Sequence, residues 1–196
     1  MSNLCGNIAN GIAFDCNKVV LGGVEQDWVL LNHDDIDRDA SVTDRTGTTH
    51  KITHLQLKSG MTGYLIKGIP AKKNMGWTSS LNQNDDDPDD FTHGVNMRVY
   101  ELTEEVMAWL NSLGKGANVV AVFKNRDLGI NGKDKYTVVG YDMGLKISEM
   151  NLSSIDNKAS TPIVLTSRYD NEPSLPLKYF DTDLATSDTA FEALFA

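Results

Sequence analysis

His50 and His54 stand four residues apart, the spacing that puts two imidazoles on one face of a helix and lets them share a metal ion. Thr49, Ile52 and Thr53 around them favour extended backbone instead. On a strand rising about 3.3 Å per residue the two rings stand roughly 13 Å apart, too far for one ion. Asp35, Asp37 and Asp39 open like a calcium loop, but the sixth position is Ala40 where glycine makes the turn, and the twelfth is Thr46 where a bidentate Glu belongs. The run Asp85-Asp86-Asp87-Pro88-Asp89-Asp90 fails in the same way, with Asp90 sixth and Asn96 twelfth, and reads as a solvated charge run.

Nucleophile and phosphate motifs are equally thin. Ser112-Leu113-Gly114-Lys115 matches S-x-x-K, yet it falls at the end of a helical pattern, and the S-D-N and K-T-G partners are missing. There is no G-x-S-x-G, no G-x-x-x-x-G-K-[ST] and no G-x-G-x-x-G. Cys5 and Cys16 allow at most one bridge, with no His near them to complete a zinc set, and read as two unpaired thiols in a reducing compartment. The expectation is a non-enzymatic protein with no catalytic residue, cofactor or metal.

The elements that would have to position such groups are mostly strands. After a Gly-, Asn- and Val-rich arm at residues 1–24, Gln26 to Asn32, centred on Trp28-Val29-Leu30-Leu31, is an apolar run of strand length, expected to be buried on both faces. Lys51 to Lys58 and Tyr64 to Lys67, around Ser59-Gly60-Met61-Thr62-Gly63, read as a hairpin. Residues 69–90 show no period and read as a long loop, a natural reach toward a neighbouring subunit, in which Trp77 and Leu81, with Phe91 just beyond, are the candidate interface residues.

Phe91 to Leu102 alternates, with Val95, Met97 and Val99 on one face. A helix follows, with Thr103 as N-cap, Glu104 and Glu105 at the positive end of the dipole, a core stripe of Val106, Met107, Leu110 and Leu113, and Gly114 as the stop. Ala117 to Lys124 and Tyr136 to Ser148 are two strands joined through Asn131-Gly132, the second interrupted by Gly140 and Gly144 as at a barrel or sandwich corner. Ile163 to Tyr169 and Leu177 to Phe180 are further strands, the latter after a turn at Pro173 and Pro176. A short helix runs from about Ser187 to the end, with Phe191, Leu194 and Phe195 on its apolar side. The fold class expected is mainly β (α+β), a small β-barrel or sandwich with one flanking helix, a long loop and a short C-terminal helix, in a single domain.

Hydrophobic residues make up 40% of the 196 and charged residues 23%, enough apolar content for a packed core. The net charge of −9 argues against a phosphate-gripping nucleic-acid binder, whose affinity comes from Lys and Arg. No stretch approaches the roughly 18 apolar residues of a membrane-spanning helix, and Met1 to Asn7 has neither the basic start nor the apolar run of a signal peptide, so export by that route is not expected.

Three segments carry a resemblance: Cys5-Gly6-Asn7-Ile8-Ala9-Asn10-Gly11-Ile12-Ala13-Phe14-Asp15-Cys16, Phe91-Thr92-His93-Gly94-Val95-Asn96-Met97, and Val138-Val139-Gly140-Tyr141-Asp142-Met143-Gly144-Leu145. Together with the element order they resemble phage and prophage virion proteins of Bacteroidetes hosts, and among these the tail tube proteins. That resemblance implies a virion subunit made in the bacterial host cytoplasm. It implies self-association into a homo-oligomeric, commonly hexameric, ring, stacking with further rings and contacts to other phage tail proteins. DNA would pass through the channel without specific binding. A head-to-tail connector or tail-terminator ring shares the size and fold tendency. From a different class comes a carbohydrate- or ligand-binding β-sandwich, with Trp28, Trp77 and Trp109 as its aromatic candidates and Trp77 foremost.

Overall fold

The computed structural model describes residues 22–46, 48–68, 75–153, 160–167 and 171–196. Cys5, Cys16, nearly all of the arm and Tyr169 lie outside the described residues. Two continuous apolar runs set the centre of the molecule, because a strand with no polar side needs cover on both faces. They are the neighbouring strands β1 (Val24–Asn32) and β7 (Val119–Asn125). Trp28, Val29, Leu30 and Leu31 are all at most 1% exposed, so the expected two-sided burial holds.

These strands lie inside a seven-stranded sheet. Its order is β2 (Val42–Asp44), β3 (Lys51–His54), β11 (Leu177–Tyr179), β8 (Tyr136–Val139), β7, β1 and β4 (Tyr64–Lys67), antiparallel except where β3 meets β11. One face presents Val29, Leu31, Val120, Val122 and Val138 to helix α2 (Leu184–Ala193), which covers them with Phe191 and Leu194. The helix is tied down by the Phe191 ring stacked 4.7 Å from Tyr136, and by Lys135 Nζ and the Tyr136 hydroxyl, which both donate to Asp188.

The opposite face presents Trp28, Leu30, Ala121 and Phe123. It packs on a second sheet of β5 (Gly76–Asn82), β6 (Asp90–Val99), β10 (Thr161–Thr166) and β9 (Lys146–Met150), in that order, through Val95, Met97, Ile163 and Leu165. Stacking of Trp28 on Phe123, centroids 4.7 Å apart, adds about 1 kcal/mol to the area they bury. The architecture is therefore a sandwich. The barrel alternative is corrected, since the two sheets end in separate edge strands and do not close on each other.

Helix α1 (Glu104–Gly114) follows its sequence signals at the start, where Thr103 Oγ1 accepts from the Val106 amide. Leu110 and Leu113 are buried, but Met107 is 40% exposed, and its place on the packed face is taken by Trp109. Gly114 is the last helical residue; the left-handed glycine is Gly116, which follows Lys115. The C-terminal helix begins three residues earlier than expected, because Asp183 accepts from the Thr186 amide and caps it.

Three expectations on strand pairing need correction. Residues 59–63 do turn the chain, yet β3 and β4 are not a hairpin: β3 pairs with β2 and β11, while β4 lies at the far edge beside β1. Turn chemistry sets the direction of a chain but not its partner, and Leu65 and Ile66 find more apolar surface on β1. The span from Tyr136 to Ser148 is two strands in two different sheets. Its glycines make the corner between them, with φ of 76° at Gly140 and 83° at Gly144, where a side chain would run into Leu145 and Asn118. Finally, residues 69–90 are not a long loop throughout. Gly76–Asn82 is strand β5, hairpinned to β6 through a turn at residues 83–89, and residues 69–74 lie outside the described residues.

Candidate assembly edge

Strand β5 reads Gly-Trp-Thr-Ser-Ser-Leu-Asn, without a charge or a proline. Its register with β6 runs unbroken from Gly76 opposite Asn96 to Asn82 opposite Asp90. Among the described residues nothing pairs with its other side. It is thus a seven-residue edge whose outward N–H and C=O groups are open to a further strand.

The turn that orients this edge is built from amides and carboxylates. Asn82 Nδ2 donates to Asp90 Oδ1 and Thr92 Oγ1, each at 2.8 Å, and Asn171 Nδ2 donates to Asp90 Oδ2 at 3.1 Å. Asn84 closes the loop onto Asp89 and Pro88. Hydrogen bonds from Asn82 above all, and then from Asn171 and Asn84, hold the Asp90 carboxyl below the usual range, against a smaller desolvation effect. Within the acidic run of residues 85–90, Asp89 and Asp90 are therefore structural, fixing the hairpin end.

The three residues singled out for an interface divide. Leu81 is 53% exposed near the end of β5. Trp77, on the same side of the strand, is half-buried against the second core; it also lines a recess of about 370 Å³ with Asn125, Asp127, Asp134 and Lys178. Phe91 sits opposite Leu81 on β6, half-buried, and its backbone exchanges two 2.9 Å hydrogen bonds with Glu172. Trp28, by contrast, is wholly core, and Trp109 packs on α1's inner side.

Glu172 is the residue that sequence reasoning missed. It is 1% exposed, and its carboxylate accepts from three successive amides of the corner, Asp142, Met143 and Gly144, at 3.2, 3.0 and 3.3 Å. Burial pushes its pKa up to about 7, with the amides of Met143, Asp142 and Gly144 pulling the other way and Asp142's charge adding to the rise. Nearby His93, also 1% exposed, accepts at Nδ1 from the Gly140 amide at 3.4 Å, and its burial pushes its pKa down to about 4. The local text Asn171-Glu172-Pro173-Ser174 looks like an exposed turn, so nothing in it marks an inward carboxylate.

Of the metal candidates, His50 Nε2 bonds the Leu175 carbonyl, and His54 lies on strand β3. Asp35 accepts from Asn32, and Asp37 accepts from the Asp39 and Ala40 amides. Among the described residues no three His, Cys, Asp or Glu converge on a cation position. Ser112 donates to the Ala108 carbonyl within α1. No helix of the described residues is long and apolar enough to cross a membrane. No family model, curated protein or solved structure matches this chain.

Proposed function

We propose that this chain is a virion structural subunit, most specifically of a phage tail tube, that assembles by adding strand β5 of one copy to the four-stranded sheet of the next. The observation that carries this reading is the β5 edge: seven residues, uncharged, without proline or bulge. Because β9 ends the same sheet on the other side, β5-to-β9 addition between copies would run one sheet around a ring. The net charge of −9 suits a channel past which DNA slides. The specifically phage part of the reading comes from the sequence resemblance.

The test places lysines on the edge. Thr78 and Ser80 are exposed on β5, so the double variant Thr78→Lys/Ser80→Lys charges the edge without touching the core. Negative-stain images and native mass spectra of concentrated wild-type protein are expected to show rings, and the double variant none. Wild type that closes no ring at any concentration, a β5-to-β5 dimer that grows no further, or a variant that still closes rings would overturn the reading.

A ligand-binding sandwich is the second reading, favoured by the recess beside Trp77, whose indole shares it with an amide, two carboxylates and an ammonium. A glycan-array signal lost in Trp77→Ala would support it, and an unchanged signal would remove it.

A further inference from the structure

The β7–β8 connection is exposed yet fixed, and it ends in oil. Ile130 is 70% exposed and Leu128 46%. The backbone beneath them is tied by Gly129 N to Asp127 Oδ1 at 3.0 Å, Asp134 N to the Leu128 carbonyl at 3.1 Å and Lys133 N to the Ile130 carbonyl at 3.3 Å, with Asn131 in the left-handed region at φ 57°. Gly132 is buried beneath Leu184 of α2, which anchors the tip to the body. A loop already ordered around two apolar side chains has met most of the entropy cost of binding before it meets a partner.

A recess of matching character lies elsewhere on the same chain. Between β4 and α1 runs a cleft of about 770 Å³, floored by Ile66, Val99, Val106 and Trp109. Its charged lining is basic at Lys67 and Arg98 and acidic at Glu101 and Glu105. The tip segment likewise carries both signs, with Asp127 just before Leu128 and Lys133 and Asp134 shortly after Ile130. Strand β4 is separated from β7 by β1 in the sheet, so tip and cleft belong to different patches of one surface.

We propose that the Leu128–Ile130 tip of one copy seats in the β4–α1 cleft of a second copy, with Lys133 toward Glu101 and Glu105 and Asp127 toward Lys67. Two different patches meeting make a heterologous contact, which repeats from copy to copy and would join ring to ring. The inference rests on the assembly reading only in taking a second copy as occupant.

The experiment uses the full chain carrying Thr78→Lys/Ser80→Lys, so that the β5 contact is suppressed and only tip and cleft remain. Sedimentation over a concentration series is expected to show head-to-tail association, weakened at least about tenfold by Ile130→Asp, a substitution at an exposed site that leaves the fold intact. Glu101→Lys/Glu105→Lys should weaken it less, and more at low salt than at high. Mixing the Ile130→Asp chain with the Glu101→Lys/Glu105→Lys chain should yield mainly complexes of two copies, since the first keeps its cleft and the second its tip, with longer assemblies limited to the residual self-association of the second. A background that stays monomeric throughout, or association untouched by Ile130→Asp, would overturn the tip-and-cleft contact. Rings that persist in the Thr78→Lys/Ser80→Lys chain would overturn the β5 reading instead.

Discussion

The corner at residues 140–145 and the edge at residues 76–82 solve the same problem in opposite ways. Both are stretches where backbone polar groups leave regular pairing. At the corner the chain passes between two sheets inside the protein, and the amides of Asp142, Met143 and Gly144 have the Glu172 carboxylate set against them. At the edge, β5 has a strand partner on one side only among the described residues. A buried amide must be satisfied within the chain, because leaving it bare costs about 1–3 kcal/mol. An exposed one can wait for a neighbour. The corner should therefore govern folding, and the edge association.

That division fails if the corner can be cut without loss, so the largest effect is expected there. Glu172→Ala removes the acceptor of three amides at once and should destabilise the chain by about 3 kcal/mol or more. Urea unfolding of the monomer measures it. Glu172→Gln keeps one acceptor oxygen and should lose less. If Glu172→Ala unfolds at the wild-type midpoint, the corner amides are satisfied by water and the contrast with the edge disappears.

What the sequence shows of these two regions differs for a physical reason. Gly140 and Gly144 announce a bend, because few residues other than glycine take those dihedrals, and Thr103 with its acidic first turn announces α1. The double-sided burial of Trp28 to Leu31 is legible because an apolar run has no polar face to hide. The carboxylate that holds the corner is not legible, since Glu172 reaches it from 28 to 30 residues away. Strand β5 was hidden by composition: Thr78, Ser79 and Ser80 supply no apolar alternation. The hairpin cue lay instead in the cluster from Asn82 to Asp90, between two segments able to form strands. The β3–β4 pairing misleads because partner choice is settled by surface far away in sequence.

The corner also predicts a pH response of intermediate size. Glu172 holds its proton more tightly folded, at about 7 against the ordinary 4.5, so its contribution to stability falls as pH rises from 4.5 to 7, by up to about 3 kcal/mol. His93 works with the opposite sign. Its pKa drops from 6.5 to about 4 on burial, so the unfolded chain takes the proton first and stability is lost as pH falls through that window. Between pH 4.5 and 6.5 the two slopes oppose each other, and the wild-type profile should be shallow. In His93→Gln only the Glu172 slope remains, and unfolding free energy should decline with pH from 5 to 7. A His93→Gln profile that stays flat from pH 5 to 7 would place the Glu172 carboxyl near its ordinary value, with the corner amides balancing burial.

The smallest expected effect on the fold sharpens the comparison most. Thr78→Lys/Ser80→Lys adds two charges at exposed positions of the strand, so monomer stability should move by no more than about 0.5 kcal/mol. Association is where the same change is expected to act. By contrast β9 is five residues long, carries Lys146 and Glu149, and slips register beside Val164 and Leu165, the usual means by which an edge is kept from indiscriminate pairing. Of the two edges of this sheet, one is guarded and one is bare among the described residues. A bare edge that can be charged at almost no cost to the monomer has no role in holding the monomer together. On the proposed reading its seven uncharged residues await a strand supplied from outside, and a monomer that loses several kcal/mol on the double substitution would return β5 to the core.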